Sequence, residues 1–347
     1  MVRRPGTAAG PVFLFSGLGG EHPAMGRGLY RFSPIFRSEL DRCDRLYREI
    51  TGRPLLVRSS PPFGERVRFG RPSYVQPAVF SFQYALASAW LAWGVRPGAV
   101  FGYSLGEDAA ACVAGVLSLD DMMRLVVHRA RQMDSLRGGR MAVLFGEAAQ
   151  TSRLLAAFPA IDVAAANGSE STVVSGPEHA IAGLLAAAAA AHIRARPVHA
   201  ACAFHSRGMD SILPSIERDA ARVSFRQPRV PLLSSVTGTW LSGATVRNAL
   251  YWSRRVRAPI RLTEAVTRLY ADGFRTFLEI GAHPMLGPIV RRWTAPADLV
   301  CVQAARRDQD DVQVTALALS QMVGRSGRAR IAPVASARGV ARFEAFR

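Results

Sequence analysis

The 347-residue chain contains no lysine: all 44 basic side chains are arginine, and against 26 acidic ones they leave a formal net charge of +18. That surplus admits two readings, compositional drift in a GC-rich genome or a basic face for an acidic partner. Nucleic acid is the weaker choice of partner and none is expected, because the arginines are spread along the chain and no helix-turn-helix, zinc-finger or aromatic-basic RNA signature accompanies them. Cysteine is scarce too. Cys43, Cys112, Cys202 and Cys301 show no CxxC spacing and no His pair stands at ligand spacing, which argues against a disulfide framework and a structural metal. No apolar run reaches the roughly 18 residues that cross a bilayer, so no membrane association is expected. The basic start, Met1 to Pro5, leads into a strand pattern broken by Gly17-Leu18-Gly19-Gly20 rather than a signal-peptide core, and the expected location is the cytoplasm. With 49% apolar and only 20% charged residues, the chain can bury one large domain carrying an insertion, or two domains.

Val12-Phe13-Leu14-Phe15 is a short apolar run closed by a glycine loop, the pattern of a buried strand. Residues 24–50 read as helical, 51–74 as a Pro/Gly/Arg-rich surface connection, and Val75 to Trp93 as a helix ended by Gly94 and Pro97. Gly98 to Phe101 is a second buried strand, followed by a small-residue helix. Ser118 caps another helix over about 119–137, with Asp120 and Asp121 in its first turn. After Gly138-Gly139 the texture changes. Strands at 141–145, 161–166, 172–175 and 195–198 alternate with helices at 147–158 and 178–192, and Asn167-Gly168 marks a hairpin. That βαββαβ order is a ferredoxin-like unit inserted in a larger α/β body. The body resumes near residue 204, with strands at 231–234 and 276–280 and a helix over 258–271 between them. The expected division is 1–138 and 204–323 for the body, 139–203 for the insertion, and 324–347 as a basic tail, read as disordered.

Gly102-Tyr103-Ser104-Leu105-Gly106 fits G-x-S-x-G between a predicted strand and a predicted helix. This is the context in which a sharp turn exposes a serine oxygen above a helix N-terminus, and the glycines remove Cβ atoms that would clash there. A serine needs a base. Of seven histidines, His22 and His283 fall in loops, His128, His179 and His192 on helices, and His199 by the closing strand of the insertion. His205 lies where the chain re-enters the body, a plausible position for the base.

With these residues in place, the sequence resembles the family of malonyl-CoA:ACP transacylases and polyketide synthase acyltransferase domains, from about Val12 to about residue 320. Phe15 to Glu21 stands at the family's GQGxQ loop and Gly102 to Glu107 at its GHSxGE elbow. Asn167 with Val173 to Pro177 matches the inserted-subdomain signature, and Ala203-Phe204-His205-Ser206 with Met209 the catalytic-histidine segment. Tyr251-Trp252, Ala258 to Arg261 and Glu279 to Pro284 resemble the closing segments of the polyketide synthase members. The resemblance implies an α/β-hydrolase-like core with a mostly parallel sheet and the ferredoxin-like insertion. It implies a Ser104–His205 dyad whose base is oriented by a backbone carbonyl, assigned to Arg261. It also implies an oxyanion hole from the N–H groups of Leu18 and Leu105. Arg129 falls at the position that grips the free carboxylate of malonyl-type groups. Phe204 and Tyr103 are implied in the acyl pocket, Phe204 favouring malonyl over methylmalonyl. Tyr103, Leu18, Glu21 and Cys202 depart from the family's usual residues.

The function so implied is ping-pong transfer of a malonyl-type group from CoA, through acyl-Ser104, to the phosphopantetheine thiol of an acyl carrier protein in polyketide or fatty acid biosynthesis. No bound cofactor or metal is expected, since acyl-CoA and the phosphopantetheinylated carrier are substrates, and an acidic carrier would suit the arginine surplus. With Met1 at its start and no ketosynthase or carrier segment attached, the chain is expected to act in trans as a stand-alone enzyme, an excised fragment being the other reading. A different acyl thioester as donor and an esterase or thioesterase using the same elbow are the alternative functions. A catalytically silent docking protein is disfavoured by the presence of both Ser104 and His205.

Overall fold

The computed structural model describes residues 10–57, 62–64, 71–293 and 299–326. Val12–Phe15 (β1) is buried along its whole length, and its side chains alternate between two cores, Phe13 and Phe15 entering one, Val12 and Leu14 the other. A strand wetted on neither face belongs inside a sheet covered on both sides. β1 accordingly pairs in parallel with Ala99–Gly102 (β2) on one side and Thr276–Ile280 (β9) on the other. Leu232–Leu233 (β7) and Val300–Gln303 (β10) extend this parallel sheet in the order β10-β9-β1-β2-β7.

One face of the sheet carries Arg27–Phe32 (α1), Pro34–Thr51 (α2), Pro72–Ala92 (α3), Leu119–Met133 (α5) and Asp311–Ser326 (α13). Its core is aromatic. Phe13, Phe15, Phe36, Phe80, Phe82 and Trp90 are almost fully buried, each contributing about 1.5–3 kcal/mol of apolar burial, and Phe36 meets Phe82 edge to face at 5.8 Å. The opposite face carries Leu262–Ala271 (α11) and Gly287–Trp293 (α12), through Leu262, Leu269 and Val290. The helix expected over 24–50 is in fact two. Ser33 caps the second by accepting from the Phe36 N–H at 3.3 Å, and Pro34 occupies its first position, where a missing N–H costs nothing. The helix expected from Val75 begins at Pro72 for the same reason, and that expected to reach 137 ends at Met133.

The second sheet joins Gly139–Phe145 (β3), Asp162–Ala166 (β4), Ser171–Pro177 (β5) and Arg194–Val198 (β6), antiparallel in the order β6-β3-β5-β4. Ala148–Leu155 (α6) and Glu178–Ala190 (α7) connect its strands, and Ala142, Leu144, Val174, Ile181 and Leu184 form a small core of their own. This is the expected βαββαβ order, and the architecture is an α/β body with a ferredoxin-like subdomain. The fifth strand of this sheet was not expected. Ile260–Arg261 (β8), read from sequence as the start of a helix, pairs in parallel with β4 and only then does α11 begin, at Leu262. The body thus lends a strand to the insertion. Further bonds stitch the same seam: Gly168 N–H to Thr263 Oγ1 at 3.1 Å, Tyr103 OH to Asn167 Oδ1 at 3.2 Å, and Arg207 N–H to Asp162 Oδ2 at 2.7 Å. Of the expected tail, Gly324 to Ser326 close α13 and residues 327–347 lie outside the described residues. Among the described residues no helix is long and apolar enough to cross a membrane.

The bend from β2 into Gly106–Val113 (α4) depends on two glycines. A Cβ on Gly102 would meet the Glu107 nitrogen at 2.2 Å, and one on Gly106 the Phe15 carbonyl oxygen at 2.2 Å. Both obstacles are buried backbone, one in the first turn of α4 and one in β1. Either Gly102→Ala or Gly106→Ala is therefore expected to lower the unfolding free energy by more than about 2 kcal/mol in denaturant titration, whereas a loss below about 0.5 kcal/mol would mean that the bend relaxes freely.

Candidate active site

Ser104 sits at the apex of this bend with φ at 54°, in the left-handed region that non-glycine residues rarely occupy. Its Oγ lies 2.7 Å from His205 Nε2, and His205 Nδ1 lies 2.8 Å from the carbonyl oxygen of Ala258. A carbonyl can only accept, so Nδ1 carries the proton and the Nε2 lone pair faces the serine hydroxyl. The tautomer a general base requires is thus set by a main-chain atom. His205 has φ at 55°, and its N–H donates to Val256 O at 3.2 Å, so the segment leading into β8 grips it twice. Burial is the main cause that lowers the His205 pKa to about 4, the positive charges of Arg255 and Arg129 act in the same direction, and the Ala258 carbonyl works against them.

The orienting carbonyl is a correction to the sequence reading. Arg261, expected in that place, lies three residues further on in β8, where its N–H donates to Ser235 O at 2.7 Å and its side chain is exposed beside Glu264. The other expected site residues do converge. Leu18, Tyr103, Ser104, Leu105, Arg129, Phe204 and His205 all line one cleft of ≈ 1470 Å³ between the two sheets. Among the described residues the backbone N–H groups of Leu18 and Leu105 donate to no protein acceptor, while the next N–H groups, of Gly106 and Glu107, return to Tyr103 O and Ser104 O. Tyr103 is held by Asn167 from the small subdomain, and burial raises its phenol pKa to about 12, so it stays neutral.

Arg129 projects from α5 with only 7% exposure and is engaged by partners that the sequence did not single out. Nη2 donates to Asp108 Oδ2 at 2.7 Å and to Gln76 Oε1 at 3.2 Å, and Nη1 to Asp108 Oδ1 at 3.3 Å. Arg255, also buried, donates through Nη2 to Asp108 Oδ1 and through Nη1 to Ser104 O at 3.1 Å. Glu107, the first acidic residue of α4, accepts from Ser235 N–H at 3.1 Å, from the Ser235 hydroxyl and from Tyr251 OH, which fastens the helix carrying the elbow to the loop after β7. The available signal for Asp108 was its place one helical turn beyond Ser104, where a side chain shares the face of the nucleophile. Exposed arginines at 71, 137, 140, 194, 196 and 292 form a basic collar interrupted by exposed Glu147 and Glu170, and the buried Arg129 and Arg255 line the same cleft. Glu279 holds the far wall, accepting from the N–H groups of Met285, Leu286 and Gly287 at 2.6, 2.8 and 2.9 Å.

Comparison with known proteins agrees with this geometry. The acyl transferase domain family matches residues 12–329, and the chain belongs to that family. It is 36% identical over 311 residues to erythronolide synthase EryA2 of Saccharopolyspora erythraea, a match covering 87% of this chain and 9% of the synthase. It is 39% identical over 296 residues to polyketide synthase GfsE of Streptomyces halstedii, covering 82% of this chain and 8% of that protein. The chain therefore spans a small fraction of the curated relatives it matches. Among solved structures it resembles the acyltransferase domain from the second module of the salinomycin polyketide synthase, with a TM-score of 0.83 and 33% identity over 91% of this chain and 73% of that one. It also resembles malonyl-CoA:acyl carrier protein transacylase (FabD) of Xanthomonas oryzae, with a TM-score of 0.78 and 26% identity over 89% and 99% of the two chains. The protein is an acyltransferase.

The depressed pKa of the base has a kinetic sign. Neutral imidazole is the working form, so lowering its pKa extends activity toward acid. Modification of Ser104 by a fluorophosphonate should stay near its maximal rate from neutral pH down to about pH 5 and reach half of it near pH 4. A midpoint near the ordinary value of 6.5 would show that His205 is not desolvated as described.

Proposed function

We propose that this acyltransferase moves a malonyl-type group from CoA to the phosphopantetheine thiol of an acyl carrier protein through an ester on Ser104. The observation that carries this reading is the Ser104–His205–Ala258 hydrogen-bond chain at the floor of the cleft. In the first half-reaction Ser104 Oγ attacks the thioester carbonyl carbon as its proton passes to His205 Nε2. The oxyanion is received by the unengaged N–H groups of Leu18 and Leu105, donors of a kind worth about 3–4 kcal/mol each. The tetrahedral adduct collapses, the C–S bond breaks, and CoA leaves as the thiol with the proton from Nε2. In the second half-reaction the pantetheine thiol gives its proton to Nε2, its sulfur attacks the ester carbonyl, and Ser104 recovers the proton as the new thioester departs. No bound cofactor enters either half.

Arg129 supplies the charge that a free acyl carboxylate needs, in a wall of the cleft buried enough to make the interaction strong. Phe204, half-buried next to the base, restricts room beside the α-carbon and favours malonyl over methylmalonyl by about 1–3 kcal/mol, the scale of one methyl group in an apolar pocket. Tyr103 and its Asn167 bond close the side of the pocket toward the small subdomain. The arginine collar suits the phosphates of CoA and an acidic carrier, both of which must reach the same floor in turn. The names of the relatives, polyketide synthases and a malonyl-CoA:acyl carrier protein transacylase, support the same donor and acceptor.

Intact-protein mass spectrometry after brief incubation with malonyl-CoA, acetyl-CoA and other acyl thioesters tests this. A malonyl-sized adduct is expected on the wild type and none on Ser104→Ala, and His205→Ala should slow its formation by about 10²–10⁴-fold. An adduct from another acyl group and none from malonyl would overturn the donor and keep the transfer. No adduct from any thioester would overturn the transfer itself, and an adduct lost to water faster than to a carrier thiol would make the chain a thioesterase.

A further inference from the structure

The positive end of the cleft already holds a carboxylate of the protein's own. Asp108 is 0% exposed, and both of its oxygens are turned to the Nη1–Nη2 edge of Arg129, the fork with which a guanidinium grips a carboxylate most directly. Gln76 takes a further hydrogen of the same Nη2. A donor carboxylate seeking that edge meets an occupied site. Asp108 is at the same time shared with a second guanidinium. Arg255 Nη2 donates to Asp108 Oδ1, and Arg255 Nε is buried with no hydrogen-bond partner. A guanidinium presents a second fork, formed by Nε and the adjacent Nη, so Arg255 has unspent capacity for Asp108. Asp108, Arg129 and Arg255 together carry one net positive charge, which the neighbouring buried Glu107 balances, and all four groups are at most 7% exposed. Both guanidiniums line the cleft, and charge alone does not decide which of them receives an added anion.

We propose that Asp108 is a resident competitor for the carboxylate of the acyl donor and that Arg255 takes over Asp108 when that carboxylate engages Arg129. The Asp108–Arg255 pair is then a positioning device that sets how strongly the enzyme selects carboxylated over neutral acyl groups. This rests on acyl transfer through Ser104 with Arg129 as the carboxylate partner. Engagement of the donor exchanges one Arg129–carboxylate contact for another, and the net selection is weaker than a free Arg129 would give. Arg255 limits that weakening, because without it Asp108 has Arg129 as its only cation.

The test is the ratio of kcat/KM for malonyl-CoA over acetyl-CoA, read from Ser104 loading with both donors on the same protein preparation. Asp108→Asn removes the competitor and should raise the ratio about tenfold or more through the KM for malonyl-CoA, the scale of one charge-assisted hydrogen bond. Arg255→Gln should lower the ratio below that of the wild type. Asp108→Asn leaves two buried cations without a counter-ion and threatens folding. The double variant Asp108→Asn/Arg255→Gln keeps the net charge of the wild type and carries the test in that case, again with a ratio above the wild type. A ratio within about twofold of the wild type in both Asp108 variants, or equal slowing of the two donors, would reduce Asp108 to a structural role and overturn the proposal. Loading of wild-type Ser104 with such an unchanged ratio leaves acyl transfer standing, whereas absence of any Ser104 adduct overturns acyl transfer and this proposal together.

Discussion

The hydrogen bond from His205 Nδ1 to the Ala258 carbonyl is the contact on which the rest of the structure depends. It fixes the imidazole tautomer, and through it the direction of the Nε2 lone pair toward Ser104. Its two ends lie 53 residues apart in the chain. Ser104 is delivered by a parallel strand at the centre of the body, His205 by the chain leaving the small subdomain, and Ala258 by the segment about to become β8. Ser104 and His205, both with positive φ, meet at the neighbouring Oγ–Nε2 contact, each at a cost of about 1–3 kcal/mol, and close packing of the elbow glycines against the β1 backbone and Glu107 holds the strain.

Charge is the second organising constraint. Four ionisable side chains, Glu107, Asp108, Arg129 and Arg255, are buried within one turn of the nucleophile's helix or against it. Removing such groups from water is costly unless each finds several partners. Glu107 has hydroxyls and an amide, Asp108 has two guanidiniums, and Arg255 reaches the carbonyl of Ser104 itself. The consequence for the base is visible, since the two arginines add to burial in holding His205 neutral. The same two cations thereby favour the neutral form of the histidine.

Much of this was legible in the sequence where the determinants are local. The elbow could be read because strand, bend glycines, serine and helix are contiguous, and the insertion because its strands and helices alternate over about sixty residues with a clear Asn167-Gly168 turn. The orienting carbonyl was misplaced by three residues, from Ala258 to Arg261, since a main-chain acceptor leaves no trace in side-chain identity. β8 was absorbed into a helix because two residues cannot display a period. β10, four residues long, went unread, and the break between α1 and α2 was visible only as Ser33-Pro34 inside an apolar pattern. Asp108 and Arg255 are 147 residues apart and meet only through the tertiary fold. In a chain with 44 arginines, nothing in composition separates the two buried ones from the solvated ones.

The borrowed strand β8 also limits how this architecture can be taken apart. By chain order the small subdomain looks like a cassette, entered at Gly139 and left before His205, ready for grafting between relatives. Its sheet is complete only with Ile260–Arg261, and those two residues begin two positions after the carbonyl that holds the base. A graft cut at the obvious joints would pair a foreign β4 with the host's β8, and any change in that register would pass directly to Ala258. The natural unit of exchange is therefore discontinuous: it includes the stretch from Val256 to Thr263 along with the insertion, and His205 travels between them.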